Sequence, residues 1–212
     1  YFEMGDYNNA IDHYNKSIDM KNSLNDLVGL NKSIVNKAKS YYFKLDYDNA
    51  MIEIKSAMKL SANLKRDKLM VEKNRFLGMI FFHQSMFDSS LFYLNKVEKL
   101  YEKVPSKSAT VMPFIAASLF EKGDRSSAEI KLGEFSKIIE ENDLKESDII
   151  LVNWLAYSIY NSLGESKKAK NSLENAYFEI KSKSKEIKNK DDRKLYLSSE
   201  MNMNILSKWE AI

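Results

Sequence analysis

Apolar residues fall three, four and seven positions apart along this chain, arranged around a set of short polar turns. The turns align as Gly5-Asp-Tyr-Asn-Asn-Ala10, Leu45-Asp-Tyr-Asp-Asn-Ala50, Ser85-Met-Phe-Asp-Ser-Ser90, Gly123-Asp-Arg-Ser-Ser-Ala128 and Gly164-Glu-Ser-Lys-Lys-Ala169, at intervals of 40, 40, 38 and 41 residues. Four residues before each turn stands a large apolar or aromatic residue: Tyr1, Tyr41, Phe81, Leu119 and Tyr160. Seven before it the residue is small at Ala38, Gly78 and Ala116, with Tyr157 the exception. Four past the alanine position come Tyr14, Ile54, Leu94, Leu132 and Leu173; seven past it come Ser17, Ala57, Val97, Phe135 and Ala176. These spacings lay one apolar stripe along each helix.

The residue types follow from packing. Two helices approach closely only where the facing side chains are small, and the large residues fill the space on either side. A glycine at the head of the turn accepts the left-handed backbone that ends a helix. Asp or Ser behind it caps the next one. Four of the six glycines occupy repeat positions: Gly5, Gly78, Gly123 and Gly164.

The pattern predicts a helix within 1–22, the second of a truncated pair. Helix pairs follow over 26–63, 66–103, 107–142 and 146–189, and a capping helix over 191–210. No linker breaks the series, so residues 1–212 read as a single array. Pro105 marks the entry to the fourth pair, and Pro113 falls within the first two turns of that pair's first helix, where it bends more than it breaks.

The motif resembles the tetratricopeptide repeat, most closely in Gly5 to Ser17, in Tyr41 to Ala57, and in Leu77-Gly78 with Phe81. The resemblance spans nearly the whole chain, with a period longer than the family's usual ~34 residues. It implies an all-α fold, an α-α superhelix built as a right-handed solenoid of antiparallel helix pairs. It also implies a concave groove lined by the first helix of each pair, where a protein or peptide ligand binds. Long-period arrays of this kind resemble those of bacterial sensor kinases, transcription regulators and peptide-sensing receptors.

Projected onto this chain, the groove takes Lys32, Val35, Asn36, Lys39, Tyr42 and Phe43 from the second repeat, and Glu72, Arg75, Phe76, Met79, Phe82 and His83 from the third. The fourth supplies Thr110, Pro113, Phe114, Ala117 and Phe120, and the fifth Leu151, Trp154, Leu155, Ser158 and Asn161. The partner-contacting set drawn from these is Asn36, Lys39, Phe43, Arg75, Met79, Phe82, His83, Phe120, Trp154, Ser158 and Asn161. Aromatic and arginine side chains anchor interfaces most often, and methionine adapts to irregular ones. The competing reading is packing, since an apolar helical stripe is core more often than contact surface; it applies above all to Phe76, Phe114 and Leu155. The Asn-Lys-Arg clamp by which some relatives hold a C-terminal carboxylate is absent here, because its positions carry Val35, Lys39, Phe76, Thr110 and Phe114.

Composition narrows the chemistry. Of 212 residues, 33 are basic and 30 acidic, a net charge of +3 with the signs interspersed, which argues against direct contact with nucleic acid. Lys181 to Lys194 is locally basic, but reads as the exposed face of a long helix. With no cysteine there is no disulfide, thiolate metal site or cysteine nucleophile. No apolar stretch is long enough to span a membrane. A cytoplasmic setting fits best, with a periplasmic sensor domain as the other option. The first residue is Tyr1, so an excised fragment of a larger protein is expected.

His13 and His83 stand in no metal-binding spacing, and no nucleophile elbow or phosphate loop occurs. Glu140, Glu141 and Asp143 cluster at a helix end as ordinary surface polarity. The expected function is therefore a non-enzymatic scaffold without cofactor or metal, binding protein or peptide as the interaction or sensory module of a bacterial regulator. The alternatives are a peptide-sensing domain that controls an attached DNA-binding or kinase output, and an oligomerisation module forming a homodimer.

Overall fold

The computed structural model describes residues 1–63, 68–141 and 149–212. The described residues are helical throughout, and they divide into two compact units, Tyr1–Tyr93 and Leu94–Ile212. The expected helix starts at 66 and 146, and Asp143, lie outside the described residues.

The first unit opens with a single 3-10 turn, Phe2–Met4, and continues through α1 (Tyr7–Ser23), α2 (Leu27–Phe43), α3 (Tyr47–Asn63), α4 (Lys68–His83) and the start of α5 (Phe87–Leu100). Consecutive helices α1 to α4 pack side by side, and α2 also touches α4. In the second unit α6 (Pro105–Ser108), α7 (Met112–Glu121), α8 (Arg125–Glu141), α9 (Ile149–Leu163) and α10 (Ser166–Glu186) follow the end of α5. There α7 packs on α8 and on α9, and α9 on α10. Two short helices, α11 (Lys190–Leu197) and α12 (Glu200–Glu210), fold back onto α10.

One local device makes the reversals. Gly5, Leu45, Ser85, Gly123 and Gly164 all have positive φ, and so does Asn25 in a turn with no glycine to advertise it. The next residue donates its backbone N–H five positions back: Asp6 to Tyr1, Asp26 to Lys21, Asp46 to Tyr41, Met86 to Phe81, Asp124 to Leu119 and Glu165 to Tyr160. This satisfies carbonyls that the ending helix leaves without partners. Where that residue is Asp, its carboxylate caps the following helix, accepting from the backbone N–H of Asn9, Gly29, Asn49 and Ser127. Two residues thus close one helix and open the next.

The stripe positions form the core. Ala38, Ala50, Ile54, Ala57, Gly78, Leu94, Val97, Ala116, Ala128, Leu132, Phe135, Leu173 and Ala176 are buried. Buried polar groups add cross-links that the apolar pattern does not encode. The Asn31 side chain donates to the Ala57 carbonyl at 2.7 Å and to Ser61 Oγ at 2.9 Å, tying α2 to α3.

Three elements differ from expectation. The first helix of the pair expected over 107–142 is two, α6 and α7, because Pro113 has no N–H to bond the Ala109 carbonyl; the helix restarts so that Pro113 lies in its first turn, where that N–H is not needed. The helix expected over 191–210 breaks at Ser199, whose ψ of 142° is extended. Asn202 spans the break by donating to the Tyr196 carbonyl at 2.8 Å, and Tyr196, Asn202 and Ile205 are buried together. The basic run Lys181 to Lys194 is not one helical face, since α10 ends at Glu186 and Arg193 turns back to bond the Ile187 carbonyl.

Leu45 pays for its turn with a φ of 65° while its side chain is mostly exposed. Leu45→Gly is expected to raise stability by about 1 kcal/mol through relief of that conformation, and Asp46→Ala to lower it by about 1 kcal/mol through loss of the cap. Urea unfolding followed by circular dichroism measures both.

Candidate partner-binding faces

In the first unit the face shared by α2 and α4 is built on an aromatic ladder. Phe2, Tyr7 and Phe43 pack together, Phe2 edge-on to Phe43 at 5.5 Å and Tyr7 stacked on it at 6.1 Å. Forty positions on, Tyr42, Tyr47 and His83 repeat the group: Tyr42 lies 5.5 Å from His83 and Tyr47 stacks on it at 4.5 Å with the rings 6° apart. Phe82 and Phe87 make the corresponding contact at 6.0 Å in the next turn. Such ring pairs hold the helix ends in register beyond what burial alone does.

His83 occupies the place that Phe43 holds in the preceding group. Its Nε2 lies 2.9 Å from the Tyr42 hydroxyl, an arrangement in which a neutral ring accepts the phenol proton. Part of the residue faces solvent, yet the ring is surrounded by Tyr42, Tyr47 and Phe82, and this desolvation pushes its pKa well below the usual 6.5.

Two turns further toward the α4 N-terminus the face becomes ionic. Glu72 receives Lys39 Nζ at 2.9 Å and both Nε and Nη2 of Arg75, at 3.2 and 3.1 Å. Lys39 and Arg75 also lie over the Phe76 ring, 5.2 and 4.7 Å from its centre. Burial alone would raise the Glu72 pKa; the two cations and their hydrogen bonds more than reverse this and hold it at about 2. Arg75 and Phe76 are enclosed, whereas Lys39 and Glu72 remain partly open to solvent.

The second unit carries its own first-helix residues. Trp154 and Tyr157 stack at 5.2 Å on α9, and the Ser158 hydroxyl bonds the Trp154 carbonyl. Asn161 is exposed near the end of that helix, and Phe120 on α7 lies under the Arg125 guanidinium at 5.6 Å.

Of the residues projected into a groove, Asn36, Lys39, Phe43, Phe82, His83, Phe120, Trp154, Ser158 and Asn161 keep accessible surface. Arg75 and Met79 do not: both are buried, and so are Val35, Tyr42, Phe76, Thr110, Pro113, Phe114 and Ala117. The reason is that α4 is flanked by α2 and by α3, which leaves it little open face. Sequence reasoning also missed Lys73 and Asn153 as buried polar residues, because both stand in helical positions where a polar side chain ordinarily reads as exposed.

Antiparallel helix pairs joined by capped left-handed turns, with charged and aromatic first-helix faces, define an all-α helical-repeat protein whose repeats resemble the tetratricopeptide type. The family model "Tetratricopeptide repeat" matches residues 1–24. The crystal structure of BtubC (BKLC) from P. vanneervenii shares the fold, with a TM-score of 0.59 over 97% of this chain and 87% of that one, at 14% sequence identity. Comparison with curated proteins gives no match. Tetratricopeptide repeats generally mediate protein–protein interaction and are generally non-enzymatic scaffolds. Among the described residues no helix is long and apolar enough to cross a membrane.

The two ionisable groups give a signed pH dependence. With its folded pKa depressed, His83 takes up a proton in the unfolded chain first, so stability falls as pH drops from about 6.5 toward 4. Glu72 adds a second loss as pH falls from 4.5 toward 2. His83→Phe, which installs the ring found at Phe43, is expected to flatten the upper window and leave the lower one. Urea midpoints measured across pH separate the two.

Proposed function

We propose that the first unit binds a segment of another protein across the accessible parts of α2 and α4, as the interaction module of a larger bacterial regulatory protein. The observation that carries this is the Lys39–Glu72–Arg75 cluster seated on Phe76. A flexible lysine at a solvent boundary normally loses much rotamer freedom on binding. Here Lys39 is already held by Glu72 and by the ring beneath it, so less entropy remains to be lost. Asn36 lies one turn before it and Phe43 one turn after, so the accessible stripe offers an amide, a cation and an aromatic edge in succession. That series suits an extended or amphipathic segment.

Selection from a random-peptide display library against the intact chain tests the proposal. Enriched peptides are expected to bind wild type and to lose about tenfold in affinity, ~1.4 kcal/mol, against a chain carrying Asn36→Ala and Lys39→Ala, in which Arg75 still pairs with Glu72. Failure to enrich any sequence, or equal affinity for the double variant, refutes this assignment of the face.

A further inference from the structure

The basic run from Lys181 to Lys194 is a feature of the second unit that the candidate faces leave unused. It holds seven cations and three acids, so the chain's net charge of +3 is concentrated in this short stretch. At its start the charge is met locally: Lys183 pairs with Glu179 at 3.5 Å, and Lys181 lies over the Tyr177 ring at 6.0 Å. Past the end of α10 at Glu186 it is not. Lys188, Lys190, Arg193 and Lys194 form no ion pair with a described residue. Cations held near one another without acids repel, and an anionic partner relieves that repulsion.

The path of the chain gathers three of these cations around a cleft. Ile187 is extended, with a ψ of 107°, and its carbonyl leaves the helical ladder. Arg193 donates Nε and Nη2 to that carbonyl, at 3.0 and 2.6 Å, which fixes the guanidinium and leaves its other N–H groups unpaired. Lys190, Arg193, Lys194 and Leu197 recur at helical spacing on one face of α11. With Ser198 and Met203 they line an open cleft of about 410 Å3. Its accessible wall is mostly apolar, so the cations contribute their aliphatic stems beside Leu197 and Met203. Glu186, Asp191 and Asp192 do not border it. An apolar cleft rimmed by cations and free of carboxylates complements a ligand that carries an apolar group and negative charge together.

We propose that this cleft docks an acidic segment of a partner protein, which seats an apolar side chain on Leu197 and Met203 and sets its carboxylates against Lys190, Arg193 and Lys194. A single-stranded nucleic acid is held by bases stacked on aromatic rings, and no aromatic side chain lines the cleft. A lipid surface is met by apolar residues that project beyond the cations, whereas Leu197 is only partly exposed and sits within the cleft. The site belongs to the second unit and does not rest on the reading of the α2 face.

Fluorescence anisotropy on the intact chain tests this with a labelled peptide, Glu-Asp-Leu-Glu-Asp-Leu, and two counterparts: Gln-Asn-Leu-Gln-Asn-Leu, which lacks the charge, and Glu-Asp-Ser-Glu-Asp-Ser, which lacks the apolar groups. The first peptide is expected to bind about tenfold more tightly than either counterpart. Lys190→Gln combined with Lys194→Gln is expected to weaken it about tenfold. Lys185→Gln combined with Lys188→Gln removes the same charge from the same run outside the cleft, and is expected to change affinity by less than about twofold. All four lysines are exposed, so the thermal midpoint is expected to stay unchanged and loss of binding is distinguished from loss of fold. Absence of binding at millimolar concentration, equal binding of either counterpart, or equal loss in the two double variants overturns the proposal. Tighter binding, at matched negative charge, to phosphatidylserine vesicles or to single-stranded oligothymidylate also overturns it, in favour of a lipid or nucleic-acid partner.

Discussion

The constraint on which both units rest is the reversal of the chain at a single left-handed residue. Once φ turns positive at Gly5, Asn25, Leu45, Ser85, Gly123 and Gly164, the following N–H reaches back five residues and the next helix must run antiparallel to the last. The carbonyl it reaches belongs to Tyr1, Lys21, Tyr41, Phe81, Leu119 or Tyr160. Five of those six are the bulky residues that precede the turn motifs, so one position both accepts the closing hydrogen bond and carries a large side chain for packing. The alanines one turn into the following helices are buried because the reversal aims that face at the preceding helix. Geometry that is local in sequence thereby dictates contacts that are not.

This explains what could be read from the sequence and what could not. The turns were legible because their chemistry lies within six consecutive residues, and the core stripe because it repeats from each turn at fixed offsets. The Asn25 reversal was expected only as the gap between residues 22 and 26, not as a member of the turn motif, because Leu24-Asn25-Asp26 precedes a helix, Leu27-Val28-Gly29, that lacks the alanine marking the other turns. The aromatic groups escaped for another reason. Tyr7 at the start of α1 meets Phe43 at the end of α2, and Tyr47 at the start of α3 meets His83 at the end of α4, each across the length of two helices in sequence. No periodicity within one helix announces a contact at that distance. The Pro113 restart and the Ser199 break reflect a competition between continuing a helix and following the surface already laid down. An apolar pattern alone does not show which wins.

The candidate faces show the same limit from the other side. A first helix was expected to give one stripe to its partner and another to a groove. On α2, Asn36, Lys39 and Phe43 keep accessible surface while Ile34 and Ala38 are buried, but Val35 and Tyr42 of the same projected stripe are buried as well. On α4 every residue from Arg75 to Ile80 is buried. Burial of Arg75 makes sense only with its partners: an isolated guanidinium would carry a severe desolvation cost, but Glu72 meets it with two oxygens and Phe76 offers a ring face. Lys39 is therefore the cluster's accessible cation. Arg75 supports it by keeping Glu72 ionised and in place.

His83 illustrates how a repeat acquires a property without changing its architecture. The group that includes Phe43 is wholly carbocyclic, and its one ionisable member, Tyr7, has its pKa raised further from neutrality by burial. Substituting an imidazole at the corresponding place in the next repeat preserves the stacked and edge-on ring contacts and adds a bond to the Tyr42 hydroxyl. Protonation would reverse that bond, with an imidazolium N–H donating to the phenol oxygen, and would set a charge among aromatic neighbours that offer it less solvation than water. The same contact that supports the α3–α4 junction at neutral pH thus weakens it in acid. The junction belongs to the helix that carries Glu72 and Arg75, so acidification loosens the support beneath the Lys39 face before its own carboxylate begins to titrate.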